Sequence, residues 1–200
     1  MLTTTSTHVL LRIAHPDLYE RNPFNVLNLA VDATAKDIRR RREDIEAAFD
    51  AGTEADEFRE ILPLNEGRKL PTREEIGELF AALEDPEKRI AYSLFWFWPE
   101  GETSSRRRSS NPNEAYQHED TIRRWEDYAI RHRQSESMVE RHNLAVYYHL
   151  RSLAAERNGL RSAAFAQADK DWHDAIAWWE RSSGRRRFLA RGLRACFRPR

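Results

Sequence analysis

Histidine and cysteine are the residue types in this chain best suited to metal binding or nucleophilic catalysis. The 200-residue sequence contains seven histidines and one cysteine, Cys196. His142 and His149 lie seven residues apart in a stretch with helical periodicity. They would share a helix face but stand two turns apart, too far to bind one metal ion together. The sequence therefore predicts no metal site and no cofactor.

Motifs for covalent catalysis or phosphate binding are also missing from the sequence. Cys196 lies among arginines, which favour a thiolate, but no base is evident near it. The chain contains neither a phosphate-binding glycine-rich loop nor the Gly-x-Ser-x-Gly turn of a hydrolase. We therefore expect a protein that is not an enzyme and has no small-molecule substrate.

The composition is typical of a folded protein without disulfide bonds or membrane spans. Hydrophobic residues make up 40% of the chain, charged residues 33%, and there are six tryptophans. A single cysteine excludes an internal disulfide bond. No stretch approaches the roughly 20 apolar residues that a membrane span needs, and the N-terminus lacks the basic start of a signal peptide. We expect a cytoplasmic protein with a buried core.

Charge is distributed unevenly, although the chain is neutral overall. Residues 1–100 contain 13 Lys and Arg against 20 Asp and Glu, and residues 101–200 contain 20 against 13. Residues 185–200 hold seven arginines, no acid, and apolar residues at helical spacing. This tail is suited to an anionic membrane surface or nucleic acid, or to docking on the acidic half of the chain. Its candidate binding residues are Arg185, Arg186, Arg187, Arg191 and Arg194.

Apolar residues recur mostly at helical spacing, which predicts an all-α fold. Thr34 and Thr72 are each followed three residues later by an acid, the spacing of an N-terminal capping box. Asp85-Pro86 is expected to end one helix and begin another, because proline lacks an N–H group.

A stretch rich in Ser, Gly, Pro and charged residues predicts a linker over 100–113. We therefore divide the chain into an N-terminal extension (1–21), a first helical domain (22–99), the linker (100–113), a second helical module (114–184) and the basic tail (185–200).

Two segments of the first domain follow the order of a known helical module. NPFNVLNLAVDATAKDIRRRRE has the pattern of a short helix, a turn and a basic second helix. LFAALEDPEKRIAYSLF has the pattern of a third helix, an Asp-Pro break and a fourth helix. Together these segments, within residues 22–97, resemble the J domain of DnaJ-like co-chaperones. The match is carried by Phe24, Val26, Leu27, Leu29, Ala33, Ile38, Leu83, Asp85, Pro86, Lys88, Arg89 and Tyr92. The resemblance implies an antiparallel helical hairpin.

The sequence departs from the family at its functional tripeptide. J domains act on a heat-shock ATPase chaperone through His-Pro-Asp in the loop between the second and third helices. Here the loop after Phe49 contains no histidine. His15-Pro16-Asp17 precedes the first helix, so we do not transfer the role to it. The resemblance therefore implies a J-like module without its usual trigger.

Four consecutive arginines, Arg39, Arg40, Arg41 and Arg42, lie on the basic second helix. The resemblance implies that this positive face docks on the acidic ATPase chaperone. The alternative is a solvated helix face paired with neighbouring acids, where each pair contributes little to stability.

Four consecutive aromatic residues, Phe95-Trp96-Phe97-Trp98, end the first domain. Successive helical residues point about 100° apart, so the four side chains cannot be buried on one helix face. Either they pack against both modules, or Trp96 and Trp98 form an exposed anchor for a protein partner.

The second module weakly resembles a tetratricopeptide-type helix pair in the segments HNLAVYYHLRSLA and DWHDAIAWWERS. We therefore expect a J-domain-like helical hairpin followed by a repeat-like helical module. The expected function is that of a non-enzymatic co-chaperone or adaptor that acts through protein–protein contacts. The alternative is a nucleic-acid or anionic-membrane-surface binding protein that uses the basic tail.

Overall fold

A computed structural model describes residues 15, 17–58, 70–99, 119–157 and 162–182. Within these ranges the regular elements are all helices, so the predicted all-α class is confirmed. They are α1 (Pro23–Val26), α2 (Ala35–Ala51), α3 (Glu54–Glu57), α4 (Arg73–Glu84), α5 (Pro86–Ser93), α6 (Glu119–Arg131), α7 (Met138–Arg157) and α8 (Ser162–Ser182). The predicted linker and basic tail, and nearly all of the extension before Asp17, lie outside the described residues.

The chain divides into two compact units, Met1–Trp96 and Phe97–Arg200. This division precedes residue 99, the expected end of the first domain. Within the second unit, Asn143 of α7 holds both backbone groups of Trp98. Its Oδ1 accepts from the Trp98 N–H at 2.8 Å, and its Nδ2 donates to the Trp98 carbonyl at 2.9 Å. Residues 97–99 therefore belong to the second unit.

Local side chains fix both ends of α2. Thr34 caps its N-terminus and forms a capping box with Asp37, as the sequence predicts. Gly52 ends the helix in the left-handed conformation, with φ of 69°. Glycine adopts this conformation without the steric strain that a Cβ would add.

The same chemistry sets the bounds of α4 and α5. Thr72 and Glu75 form the second predicted capping box. Asp85 ends α4 and caps α5, since its Oδ1 accepts from the N–H groups of Glu87 at 2.9 Å and Lys88 at 3.2 Å. Pro86 is the first residue of α5, where its missing N–H leaves no helical hydrogen bond unmade.

In the first unit, α2 and α4 pack antiparallel. Arg42 in the middle of α2 pairs with Glu84 at the end of α4, with Nη2 and Oε1 2.7 Å apart. Arg73 at the start of α4 pairs with Asp50 near the end of α2, with Nη2 and Oδ1 2.6 Å apart. The buried side chains on the two helices are Ile38, Ile45, Ala48, Ile76, Phe80, Ala82 and Leu83. Such a hairpin occurs in many helical proteins, so it does not by itself identify a family.

A buried asparagine connects the start of α1 to the end of α5. The Nδ2 of Asn22 donates to the carbonyls of Tyr92 at 3.0 Å and Phe95 at 3.1 Å. Its Oδ1 accepts from the Phe24 N–H at 3.0 Å. Asn22 thus satisfies backbone groups at two helix ends, which would otherwise lack partners.

In the second unit, α7 packs against both α6 and α8. An ion pair between the half-buried Arg151 and the buried Asp171 joins α7 to α8, with Arg151 Nε 3.0 Å from Asp171 Oδ2. Gln167 donates to the other carboxylate oxygen at 2.7 Å. These two contacts offset the cost of removing the Asp171 carboxylate from water.

Arg141 of α7 holds the end of α6. Its Nη2 donates to the carbonyls of Ala129 at 2.5 Å and His132 at 3.2 Å. Its Nε donates to Ser137 Oγ at 2.8 Å. Arg141 thereby supplies donors to carbonyls that a helix C-terminus leaves without helical partners.

His149 of α7 is fully buried between two tryptophans of α8. The ring centroids of Trp172 and Trp179 both lie 5.1 Å from its imidazole centroid. Burial lowers the pKa of His149 to about 3, because the apolar surroundings disfavour the imidazolium. His149 is therefore neutral at neutral pH.

We expect Asn22→Ala to lower the free energy of unfolding of the first unit by about 2 kcal/mol. The change removes a buried side chain that hydrogen-bonds three backbone groups. Urea denaturation at neutral pH measures this loss, and Glu87→Ala on the exposed surface of α5 is the control. Equal stabilities of the two variants would contradict the anchoring role of Asn22.

We expect His149 to make the second unit less stable in acid. The unfolded chain protonates this imidazole near its ordinary pKa of 6.5, whereas the folded chain does so only near 3. Between these values the unfolded state binds more protons, so the free energy of unfolding falls as the pH falls, by about 1 kcal/mol per pH unit.

The measurement is urea denaturation at about pH 7 and about pH 4.5, followed by tryptophan fluorescence. His149→Phe should lose less stability between the two pH values than the unsubstituted chain. His173→Phe, at an exposed histidine, is the matched control and should follow the unsubstituted chain. Parallel losses in all three proteins would exclude His149 as a source of acid sensitivity.

Candidate protein-binding surface

Two of the four consecutive arginines are used to hold α2 in place. Arg41 Nε donates to the carbonyl of Leu27, after α1, at 2.8 Å. Arg42 pairs with Glu84, and its guanidinium lies 4.7 Å from the Phe80 ring centroid. Both side chains are half-buried. Four consecutive residues point around most of a helix, so Arg41 and Arg42 make contacts within the chain, and their predicted docking role stays a prediction.

The other two arginines, Arg39 and Arg40, are exposed. The charge of Arg40 acts on the neighbouring Asp37 carboxyl. Lys36 is exposed on the preceding turn of the same side. We call Lys36, Arg39 and Arg40 the basic half of the exposed face of α2.

An acidic half follows on the same face. It consists of the exposed residues Glu43, Asp44, Glu46 and Asp50. Asp50 pairs with Arg73, and the remaining three face solvent. The alternative interpretation of the arginine run, a solvated helix face beside neighbouring acids, included Glu43, Asp44 and Glu46, which are exposed as that interpretation requires.

Asp37 at the start of α2 belongs to neither half, because it is held by the capping box. Its Oδ2 accepts from the Thr34 hydroxyl at 2.6 Å and from the Thr34 N–H at 2.8 Å. These hydrogen bonds, helped by the charges of Lys36 and Arg40, lower the pKa of the Asp37 carboxyl. Its charge therefore stabilises the helix N-terminus.

The aromatic residues at the end of the first domain do not form an exposed anchor. Trp96 is 0% exposed, so its predicted role in partner binding is corrected: no indole surface is available. The ring of Trp98 is half-buried and stacks on His142 with centroids 3.9 Å apart. Phe95 and Trp96 belong to the first unit, and Phe97 and Trp98 to the second.

The two histidines singled out in α7 lie in different surroundings. His142 stacks on Trp98, whereas His149 lies against Trp172 and Trp179. Among the described residues, no group of three or more His, Cys, Asp or Glu side chains could hold a metal ion. The described helices include none with the length and apolar character of a membrane span.

Two residues of the His15-Pro16-Asp17 tripeptide are described, and they precede α1. His15 Nδ1 forms a hydrogen bond with Asp17, and Asp17 also pairs with Arg21. The connection between α2 and α4 is described only at residues 52–58 and 70–72. Cys196 and the tail residues Arg185, Arg186, Arg187, Arg191 and Arg194 lie outside the described part of the chain.

Comparison of the chain with protein-family models, with curated proteins and with solved structures finds no match. The resemblance to J domains therefore depends on the sequence residues named above and stays a prediction.

We expect Arg42→Ala to lower the free energy of unfolding by about 1 kcal/mol, since it removes an ion pair and the cover over Phe80. Arg40→Ala should change it by no more than about 0.5 kcal/mol, because the side chain is exposed. Urea denaturation of both variants and of the unsubstituted protein measures these changes in the free energy of unfolding. A larger loss for Arg40→Ala would contradict the division of the arginines into two structural and two exposed residues.

Proposed function

We propose that this protein is a non-enzymatic, J-domain-like adaptor that binds a protein partner through the basic half of the α2 face. The observation that carries the proposal is the division of the arginine run. Arg41 and Arg42 hold the helix, while Arg39 and Arg40 remain exposed beside them.

The rigidity of α2 supports this role. The helix is capped at both ends and is held along its length by Arg41, Arg42 and Asp50. Charged side chains that project from a fixed helix lose less conformational freedom on binding than those on a mobile loop. They also steer an oppositely charged partner toward the correct orientation.

The proposed partner is a heat-shock ATPase chaperone, which the J-domain resemblance implies. Because the loop between α2 and α4 contains no histidine, the adaptor would bind the chaperone without stimulating ATP hydrolysis in the usual way. The proposal of a non-enzymatic role is supported by the lack of a catalytic motif in the sequence. The tail-based alternative depends on residues 185–200, which are not described, and stays a prediction.

Binding to a purified heat-shock ATPase chaperone and its ATPase rate test the proposal. We expect the unsubstituted protein to bind, and to compete with a conventional J-domain protein, while raising ATP hydrolysis little by itself. Reversal of the exposed charges in Arg39→Glu/Arg40→Glu should weaken binding at least about tenfold.

The matched control is Arg123→Glu/Arg131→Glu, which reverses two exposed arginines on α6 in the second unit. It should bind like the unsubstituted protein. Absence of any binding would remove the chaperone as partner. Binding that is equally strong in Arg39→Glu/Arg40→Glu would remove the basic half of α2 as the contact surface.

A further inference from the structure

The exposed face of α2 carries opposite charges at its two ends. The basic half, Lys36, Arg39 and Arg40, lies toward the N-terminus, and the acidic half, Glu43, Asp44, Glu46 and Asp50, lies toward the C-terminus. Arg39, Arg40, Glu43 and Asp44 are all exposed. The centre of the face therefore presents two cations followed by two anions to solvent.

This charge order is unfavourable for the helix taken alone. A helix carries partial positive charge at its N-terminus and partial negative charge at its C-terminus, so cations are better placed late and anions early. In α2 the last turn contains no basic residue. Arg39 and Arg40 also precede Glu43 and Asp44 by four residues, which is the less favourable order for such pairs.

We propose that two copies of this chain associate through this face, with their α2 helices antiparallel. The twofold axis would cross the exposed face at a height along the helix midway between residues 41 and 42. In this arrangement Arg39 and Arg40 of one copy lie opposite Glu43 and Asp44 of the other. The twofold axis makes the same contacts twice, as in other isologous interfaces. The antiparallel order also places the helix dipoles favourably.

A second copy fits this face because the face is complementary in charge to itself. A surface that matches the whole face must be acidic opposite the basic half and basic opposite Glu43 and Asp44, and a second antiparallel copy supplies that order. The apolar residues on this side are the exposed alanines Ala35, Ala47 and Ala51, which allow close approach but bury little apolar surface. The association is therefore electrostatic, reversible and sensitive to salt.

This inference rests on the proposed function in one respect, that the exposed face of α2 binds protein. The dimer would cover Arg39 and Arg40, so association of two copies and binding of the chaperone would exclude each other. Self-association then regulates how much of the adaptor is available to its partner.

Charge reversal of each half gives a direct test. Arg39→Glu/Arg40→Glu makes the centre of the face acidic, and Glu43→Lys/Asp44→Lys makes it basic. Sedimentation velocity at low ionic strength measures the association of the unsubstituted protein, of each variant alone, and of the two variants mixed in equal amounts.

We expect the unsubstituted protein to associate at low ionic strength. It should dissociate at about 1 M salt, because the Debye length there is only about 3 Å. Each variant alone should be monomeric because like charges meet across the axis. The mixture should form a dimer tighter than that of the unsubstituted protein, and this recovery shows that both variants fold.

A monomeric unsubstituted protein at low ionic strength overturns the dimer, and so does a mixture that associates no better than its components. Chaperone binding separates the two proposals. If the unsubstituted protein binds the chaperone but stays monomeric, the proposed function is retained and the dimer is rejected. If it dimerises but does not bind the chaperone, the dimer is retained and only the proposed partner is rejected.

Discussion

The rotation of about 100° between successive helical residues is the constraint on which the arginine run depends. Four consecutive arginines cannot share one face, so the fold must place some of them against its own interior. Arg41 and Arg42 meet this demand differently. Arg41 donates to the carbonyl of Leu27, and Arg42 pairs with Glu84 while its stem covers Phe80. The inward arginines fix the helix, and the outward pair is presented from a rigid position.

Within each unit, side chains that donate to backbone carbonyls connect the ends of neighbouring helices. Asn22 does so between α1 and α5, and Arg141 does so between α7 and α6. Arg89 donates to the carbonyl of Ala33 at 2.5 Å, and this contact anchors α5 to the turn before α2. Short helices contribute little stability by themselves, so these directed contacts supply part of what their packing cannot.

The sequence predicted the features that depend on nearby residues. Thr34 with Asp37 and the Asp85-Pro86 break have only local causes, and both were located from the sequence. The burial of Trp96 and the contact of Asn143 with Trp98 depend on residues distant in the chain, so the aromatic run left burial and exposure of Trp96 open and contained no sign of Asn143. The arginines are an intermediate case: the spacing of Arg42 from Ile38 and Ile45 places it on the apolar side of α2, whereas its pairing with Glu84 depends on the position of α4.

The charge order on α2 is the one local rule that this helix breaks. Its capping box, its left-handed glycine and its buried apolar stripe all favour the helix, whereas the basic half lies at the wrong end for the helix dipole. Sequences that agree with their fold at every other level tend to break a local rule where function requires it. Exposed charges in this order gain nothing from the helix dipole, so their main effect is on the molecules that the chain meets. The arrangement of Arg39, Arg40, Glu43 and Asp44 therefore points to recognition rather than to stability.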